Sequence, residues 1–218
     1  MTTVKWVWLV CGIVYLAFFA WYTSFGGPLT AAEITKYMAY YEANGFDPSP
    51  ENLANLRRFM EEDTGDDFVM VNAIEMYDKP LNVPGVGPND SSDDVLNKYM
   101  AYMWPQLLSR ASHPILVGEA SSATLDRMNA PDMQQWTRGA AMRYRSRRDM
   151  LEISANTDFA GSHDFKVAAM AKTIAFPIDP WFQLGDPRLV LGLLLAVIAS
   201  LVSWVSTARR ARGSATAP

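Results

Sequence analysis

The sequence is poor in cysteine, in histidine and in net charge. The only cysteine among 218 residues is Cys11, which excludes an intramolecular disulfide. The formal net charge of -4 at pH 7 lacks the basic field that a nucleic-acid partner requires. Neither His113 nor His163 has a second histidine at metal-binding spacing. We therefore expect no nucleic-acid partner and no metal site.

The sequence signatures of common enzymes are also missing. It contains no Ser-His-Asp order, phosphate-binding loop, CxxC pair or dinucleotide-binding fingerprint. The motifs therefore name no reaction and indicate no cofactor.

What the chain does have is a long hydrophobic run at each end. Residues 4–22 and residues 187–206 are each about long enough for a helix to cross the hydrocarbon core of a bilayer. The alternatives are a cleaved signal peptide for the first run and a buried core helix for the second. The first is long for a signal peptide and lacks a clear cleavage site, and the second is apolar on every face, so we expect two membrane spans.

Basic residues set the expected orientation of these spans. Lys5 precedes the first span, and Arg209, Arg210 and Arg212 follow the second in a basic tail, residues 207–218. The positive-inside rule places such residues in the cytoplasm. We expect a two-pass protein of the inner (plasma) membrane, with both termini cytoplasmic and the intervening domain periplasmic or extracellular.

The segment between the spans is as polar as a globular domain and divides in two. Residues 28–66 predict a helical collar, in which Thr30 and Glu33 form a capping box and Asn44-Gly45 ends the first helix. Residues 67–180 then alternate between strand and helix patterns. The strands are expected at 68–76, 114–120, 135–144 and 172–178. The helices are expected from Ser91 or Ser92 with a kink or early stop at Pro105, from Ser146 through Ile153, and over 165–170.

The order β-α-β-β-α-β predicts an α+β domain of ferredoxin-like type, an antiparallel sheet with helices on one face. Its first strand, FVMVNAIEM, is largely apolar on both faces, so both faces of the sheet should be covered.

Residues 143–178 resemble the C-terminal half of the small DUF1330-like members of the dimeric α/β-barrel superfamily. The features that carry the resemblance are a Tyr-x-Ser-Arg-like turn and a basic residue before an Ala-Ala-Leu-like helix. They fall on Tyr144, Ser146, Arg147, Lys166 and Ala168-Ala169-Met170. The resemblance implies that two such units pack sheet to sheet as a barrel. A homodimer, or a partner within a larger membrane complex, would cover the second apolar face.

Basic residues near the third strand form a candidate anion site. Arg143, Arg145 and Arg147 lie where a strand ends and a helix begins, where backbone N–H groups also favour an anion. Lys166 is the fourth candidate residue of this anion site, and it departs from the family pattern, which has an arginine at this position. The alternative is a solvated turn whose arginines pair with Asp149, Glu152 or the acidic run near Glu61.

Three further residues are candidate catalytic groups. Glu75 and Asn72 lie on opposite faces of the first strand, and whichever points into an apolar cleft could act there; a buried carboxylate would have a raised pKa. The alternative for Glu75 is a strand end in water. His163 is a candidate because superfamily members bind haem through a histidine, although a structural or exposed histidine is the alternative.

Two functions remain open from the sequence. The first is a membrane-anchored accessory or assembly subunit that acts through its extracytoplasmic domain, because two spans without an intramembrane acid or base cannot form a transport path. The second is a cofactor-independent oxygenase or isomerase that acts on a small apolar substrate in the barrel cleft, as the resemblance implies.

Overall fold

The computed structural model describes residues 2–44 and 48–215. In this part of the chain seven helices and four strands alternate. The helices are α1 Thr3–Tyr22, α2 Ala31–Asn44, α3 Pro50–Glu61, α4 Ser92–Ser109, α5 Arg147–Ser154, α6 Thr157–Ala169 and α7 Pro187–Ala215, and the strands are β1 Phe68–Met76, β2 His113–Glu119, β3 Arg138–Tyr144 and β4 Met170–Ile178.

The chain forms two compact units. The first combines the N-terminal residues up to Thr23 with the residues from Trp181 onward, and the second is Ser24–Pro180. In the first unit, α1 and α7 are long and apolar enough to cross a membrane, by length and composition. They approach closely at Gly192, where a Cβ atom would lie 3.2 Å from the Tyr15 ring. The Arg188 guanidinium lies 5.5 Å from the centroid of the Tyr22 ring and pairs with Asp186 at 2.6 Å. The helix α7 continues past residue 206, so the basic residues of the expected tail extend this helix.

The second unit is an α+β domain around a four-stranded antiparallel sheet of order β2-β3-β1-β4. Both neighbours of β1 run antiparallel to it, with Met70 opposite Met142 on one side and Pro177 on the other. Successive side chains of a strand point to opposite faces, so these three residues share one face. That face carries the main core, in which Phe68 stacks on Tyr144 with ring centroids 5.3 Å apart. The buried residues of this core are Phe68, Tyr99, Met103, Leu107, Tyr144 and Ile153.

The helices α2 and α3 belong to the same unit as the sheet and share a second core with α5. Its buried residues are Leu29, Tyr37, Met38, Met60 and Leu151. The capping box predicted at Thr30 is present: its backbone N–H donates to Glu33 Oε2 at 2.8 Å, and the Glu33 N–H donates to Thr30 Oγ1 at 3.3 Å. The α2 helix ends at Asn44 as expected, while Gly45 lies outside the described residues.

The largest differences from the predicted element boundaries are at α4, β3 and α6. Pro105 does not stop α4, which continues to Ser109 because Met103 and Leu107 are buried on the same stripe before and after it. The strand β3 begins at Arg138 rather than residue 135. At the preceding residue the Thr137 hydroxyl, instead of a backbone carbonyl, accepts the hydrogen bond of the Met76 N–H at 2.9 Å. The helix α6 begins at Thr157 rather than residue 165, because weak helix formers hide its first turns in the sequence.

Candidate functional site

The arginines at the end of β3 each have a carboxylate partner within the domain. Arg143 is 1% exposed, and its Nε donates to Asp67 Oδ2 at 2.8 Å while its Nη1 donates to the Ala111 carbonyl at 2.7 Å. Arg145 holds Asp149 through two bonds of 2.9 and 2.8 Å, and the bond to that carboxylate raises the pKa of the guanidinium. These contacts match the alternative of internal pairing that the sequence left open.

Arg147 and Arg148 anchor the domain's N-terminal helices in the same way. The Arg147 guanidinium donates to the Phe59 carbonyl and lies 3.2 Å from Asp179 Oδ2. Arg148 Nε donates to Glu33 Oε1 at 2.7 Å. The guanidinium groups of Arg143, Arg145 and Arg147 thus face carboxylates and carbonyls of the domain. The structure does not bring any of them together with Lys166.

Glu75 and Asn72 point to opposite faces of the sheet. Glu75 lies on the face away from the main core, opposite Lys172 in the register, and its Oε2 is 2.8 Å from Lys172 Nζ. Asn72 lies on the core face, where its Nδ2 donates to the Met70 carbonyl at 3.0 Å. His113 lies on the edge strand β2, and its Nδ1 is 2.9 Å from the Pro114 carbonyl oxygen.

His163 and Lys166, in contrast, meet in one cavity of about 800 Å³ on the core side of the sheet. We call it the helix-side cavity. The helices α2, α3, α5 and α6 and the strands β1 and β4 supply its wall. The lining residues are Tyr40, Tyr41, Asn44, Asn52, Leu53, Asn55, Leu56, Phe59, Met70, Met150, Ser154, His163, Asp164, Lys166, Thr173, Ala175 and Pro177.

Helix periodicity explains why both basic groups face this space. His163 and Lys166 are three residues apart on α6, which places them on the same side of a helix. Asn52 and Asn55 repeat that spacing on α3, and Leu53 and Leu56 do so beside them. The amide pair on α3 is a signal in the sequence that the prediction of the site did not use.

Burial sets the protonation of the groups around the cavity. It lowers the pKa of the His163 imidazole to about 4, with the Lys166 ammonium adding to the effect, so the ring is neutral at pH 7. Burial also lowers the pKa of Lys166. It raises the pKa of the Tyr41 hydroxyl, which is hydrogen-bonded to the Ser154 hydroxyl, to about 12.

Among the side chains that the structure describes, no three from His, Cys, Asp or Glu come together in an arrangement that would hold a metal ion. The cavity therefore offers a neutral imidazole, an ammonium, amides and hydroxyls over an apolar floor. Such a set of groups can bind a polar head and bury an apolar remainder.

No protein-family model matches the chain, and no curated protein matches it. Among solved structures it is similar to the methylated RPA0582 protein, with a TM-score of 0.50 and 16% identity over 64% of this chain and 96% of that one. Another crystal structure, of the RPA0582 protein of unknown function from Rhodopseudomonas palustris, gives 0.48 and 15% over 63% and 97%. The At3g17210 protein from Arabidopsis thaliana gives 0.34 and 13% over 53% and 97%. At this identity the first likeness shows a shared fold.

Proposed function

We propose that this protein is a membrane-anchored accessory module whose extracytoplasmic domain pairs with a second copy through the sheet face opposite the main core. We call this the open face, formed by Leu116, Val71, Ala73, Ala141, Ile174, Phe176 and Ile178. The observation that carries the proposal is exposed apolar surface at its strands: Leu116 is 67% exposed, Phe176 49% and Ile178 42%. An apolar face of this kind marks an interaction site.

The charges on the open face favour an identical partner. Glu75 and Lys172 neutralise each other across the β1–β4 ladder, and Lys172 also donates to the Asp132 carbonyl at 2.8 Å. Two copies can therefore approach without a clash of like charges. The strand order β2-β3-β1-β4 supports a ferredoxin-like domain of the dimeric α/β-barrel type, in which such faces pack together. DUF1330-like membership is part of this proposal.

The test replaces one apolar residue of this face and one off it. In mild detergent the wild-type chain should sediment as a dimer, and Phe176→Asp should sediment as a monomer with its circular dichroism unchanged. Leu108→Asp, at an exposed position on α4 (54%), should remain dimeric. A strictly monomeric wild type, or a dimeric Phe176→Asp variant, would contradict the proposal.

The accessory role has its own test. Gentle extraction from the native membrane should co-purify a second membrane protein in stoichiometric amount with the dimer. A lone homodimer that is itself enzymatically active would exclude the accessory role.

A second candidate function is favoured by the helix-side cavity: a cofactor-independent oxygenase or isomerase for a small apolar substrate. A neutral imidazole at pH 7 can accept a proton, and an ammonium beside it can stabilise the oxyanion that forms. The lowered pKa makes His163 a weaker base than an ordinary histidine, so more of the rate would depend on Lys166.

This candidate predicts different outcomes for two conservative variants. His163→Gln should abolish turnover while the unfolding temperature stays unchanged. Glu75→Gln should leave turnover intact, because Glu75 lies on the opposite face of the sheet from the cavity. Equal loss in both variants would exclude the cavity as the site of reaction.

A further inference from the structure

The helix-side cavity contains a cation that the domain itself does not neutralise. Among the residues that the structure describes, Lys166 Nζ has no hydrogen bond and no ion pair, although its side chain is partly buried. Arg143 and Arg145 on the neighbouring strand, in contrast, each face a carboxylate at 2.8 Å. A buried charge without a partner is costly, so a ligand that supplies the missing anion would bind with a corresponding gain.

The other titratable groups of the cavity do not provide that anion. Among the wall residues that the structure describes, the only carboxylate is that of Asp164, which is exposed and not paired with Lys166. The imidazole of His163 is neutral at pH 7, and Tyr41 carries its proton. The remaining wall from α3, α5, β1 and β4 consists of amide, hydroxyl and apolar side chains.

The rest of the wall defines the shape of the ligand. Five large apolar side chains surround the space, and amide groups stand beside them. These apolar residues are Leu53, Leu56, Phe59, Met70 and Met150. The volume of about 800 Å³ lies within the range of roughly 300–1,000 Å³ that is typical of small-molecule sites.

From these contacts we propose that the helix-side cavity binds a small amphiphilic carboxylate, with its head on Lys166 Nζ and its apolar chain against the residues of α3, α5 and β1. A single ammonium with neutral amide donors suits one negative charge. A phosphate group is better served by an arginine fork, and no arginine is among the described wall residues.

This inference goes beyond the pairing role of the open face and does not depend on it. It gives the ligand class for the same cavity as the enzyme candidate, and it rests on that candidate only in treating the cavity as a ligand site. Binding requires no turnover.

The experiment compares two probes that differ in charge, decanoate and decanol, on the full chain in a non-ionic detergent. Calorimetric titration should show decanoate binding at least tenfold more tightly than decanol. Lys166→Met should remove that preference and leave decanol binding unchanged, while Lys166→Arg should retain it. Lys36→Met, which removes an exposed lysine of α2 outside the cavity wall, should behave as wild type.

Equal affinity of the wild type for the two probes would overturn the inference, and this comparison needs no variant to fold. Retained decanoate preference in a folded Lys166→Met variant would overturn it as well. Decanoate binding by a strictly monomeric protein would support the cavity assignment while excluding the dimer. Decanoate binding without any detectable turnover would support it while counting against the enzyme candidate.

Discussion

At the scale of single residues, Arg143 is a buried cation that pairs with the carboxylate of Asp67. Replacing it with Met would remove the donor that Asp67 Oδ2 and the Ala111 carbonyl share. Removing one partner of a buried pair typically costs about 3–5 kcal/mol. We expect Arg143→Met to lower the free energy of unfolding by about 3 kcal/mol, measured by urea denaturation of the solubilised protein.

Arg57 provides the matched control for that substitution. Its guanidinium lies 3.9 Å from Glu61 on the surface of α3, with 48% of its side chain exposed. Arg57→Met should change the free energy of unfolding by less than about 0.5 kcal/mol. Equal losses of unfolding free energy in the two variants would show that the buried pair stabilises the fold no more than the surface pair does.

The same residues show where sequence reasoning about the site reached its limit. Basic residues at a strand end predicted an anion site, but Arg143 finds Asp67 across 76 positions of sequence. Such a pairing is a property of tertiary packing. His163 and Lys166 are close in sequence, so their shared helix face could be predicted, whereas the cavity they face is also lined by helices from another part of the chain.

At the scale of elements, the start of α2 combines a helix cap with an ion pair. Hydrogen bonds from Arg148 and from the Thr30 backbone and hydroxyl lower the pKa of the Glu33 carboxyl to about 2. The ionised form is therefore favoured in the folded state. Its contribution to stability is fully present above the ordinary pKa of 4.5 and is lost as the pH falls toward about 2.

We expect Glu33→Gln to lower the free energy of unfolding at pH 7 by about 1 kcal/mol, through loss of the charged cap and of the pair with Arg148. The difference in the free energy of unfolding between wild type and Glu33→Gln should narrow as the pH falls from 4.5 toward 2. Thermal unfolding at pH 7 and at pH 3 measures both effects. Glu42→Gln, at an exposed position on the same helix, should match wild type at either pH. If Glu33→Gln is less stable than wild type by the same amount at both pH values, the link between the Glu33 pKa and stability is contradicted.

Element boundaries were predictable where the pattern was local. Caps were predicted at Thr30, at Ser91 or Ser92 and at Ser146, and they are found at Thr30, Ser91 and Ser146, since each cap depends on residues within one turn. The continuation of α4 through Pro105 was not, because it depends on the burial of Met103 and Leu107 against other elements. Strong tertiary packing overrides the helix propensity of a single residue.

At the scale of the whole molecule, the alternation of strands and helices was sufficient to predict an antiparallel sheet with helices packed against it. The sequence also indicated that β1 is apolar on both faces, and the strands at the two edges of the sheet expose Leu116, Phe176 and Ile178 on the open face. What it did not indicate is that side chains of α3 and β4 line the same cavity. Cavities arise from the fit of surfaces that are distant in sequence.

The orientation of the whole chain in a membrane is testable by cysteine labelling. In a Cys11→Ala background, Ala123→Cys places a thiol on an exposed loop of the domain, and Thr2→Cys places one before α1. The basic residues after the second apolar run predict that the domain lies outside the cytoplasm. A membrane-impermeant maleimide should therefore label Ala123→Cys in intact spheroplasts and Thr2→Cys only after permeabilisation. The reverse pattern would place the domain in the cytoplasm, and it would move any partner of the open face and any ligand of the helix-side cavity to that compartment.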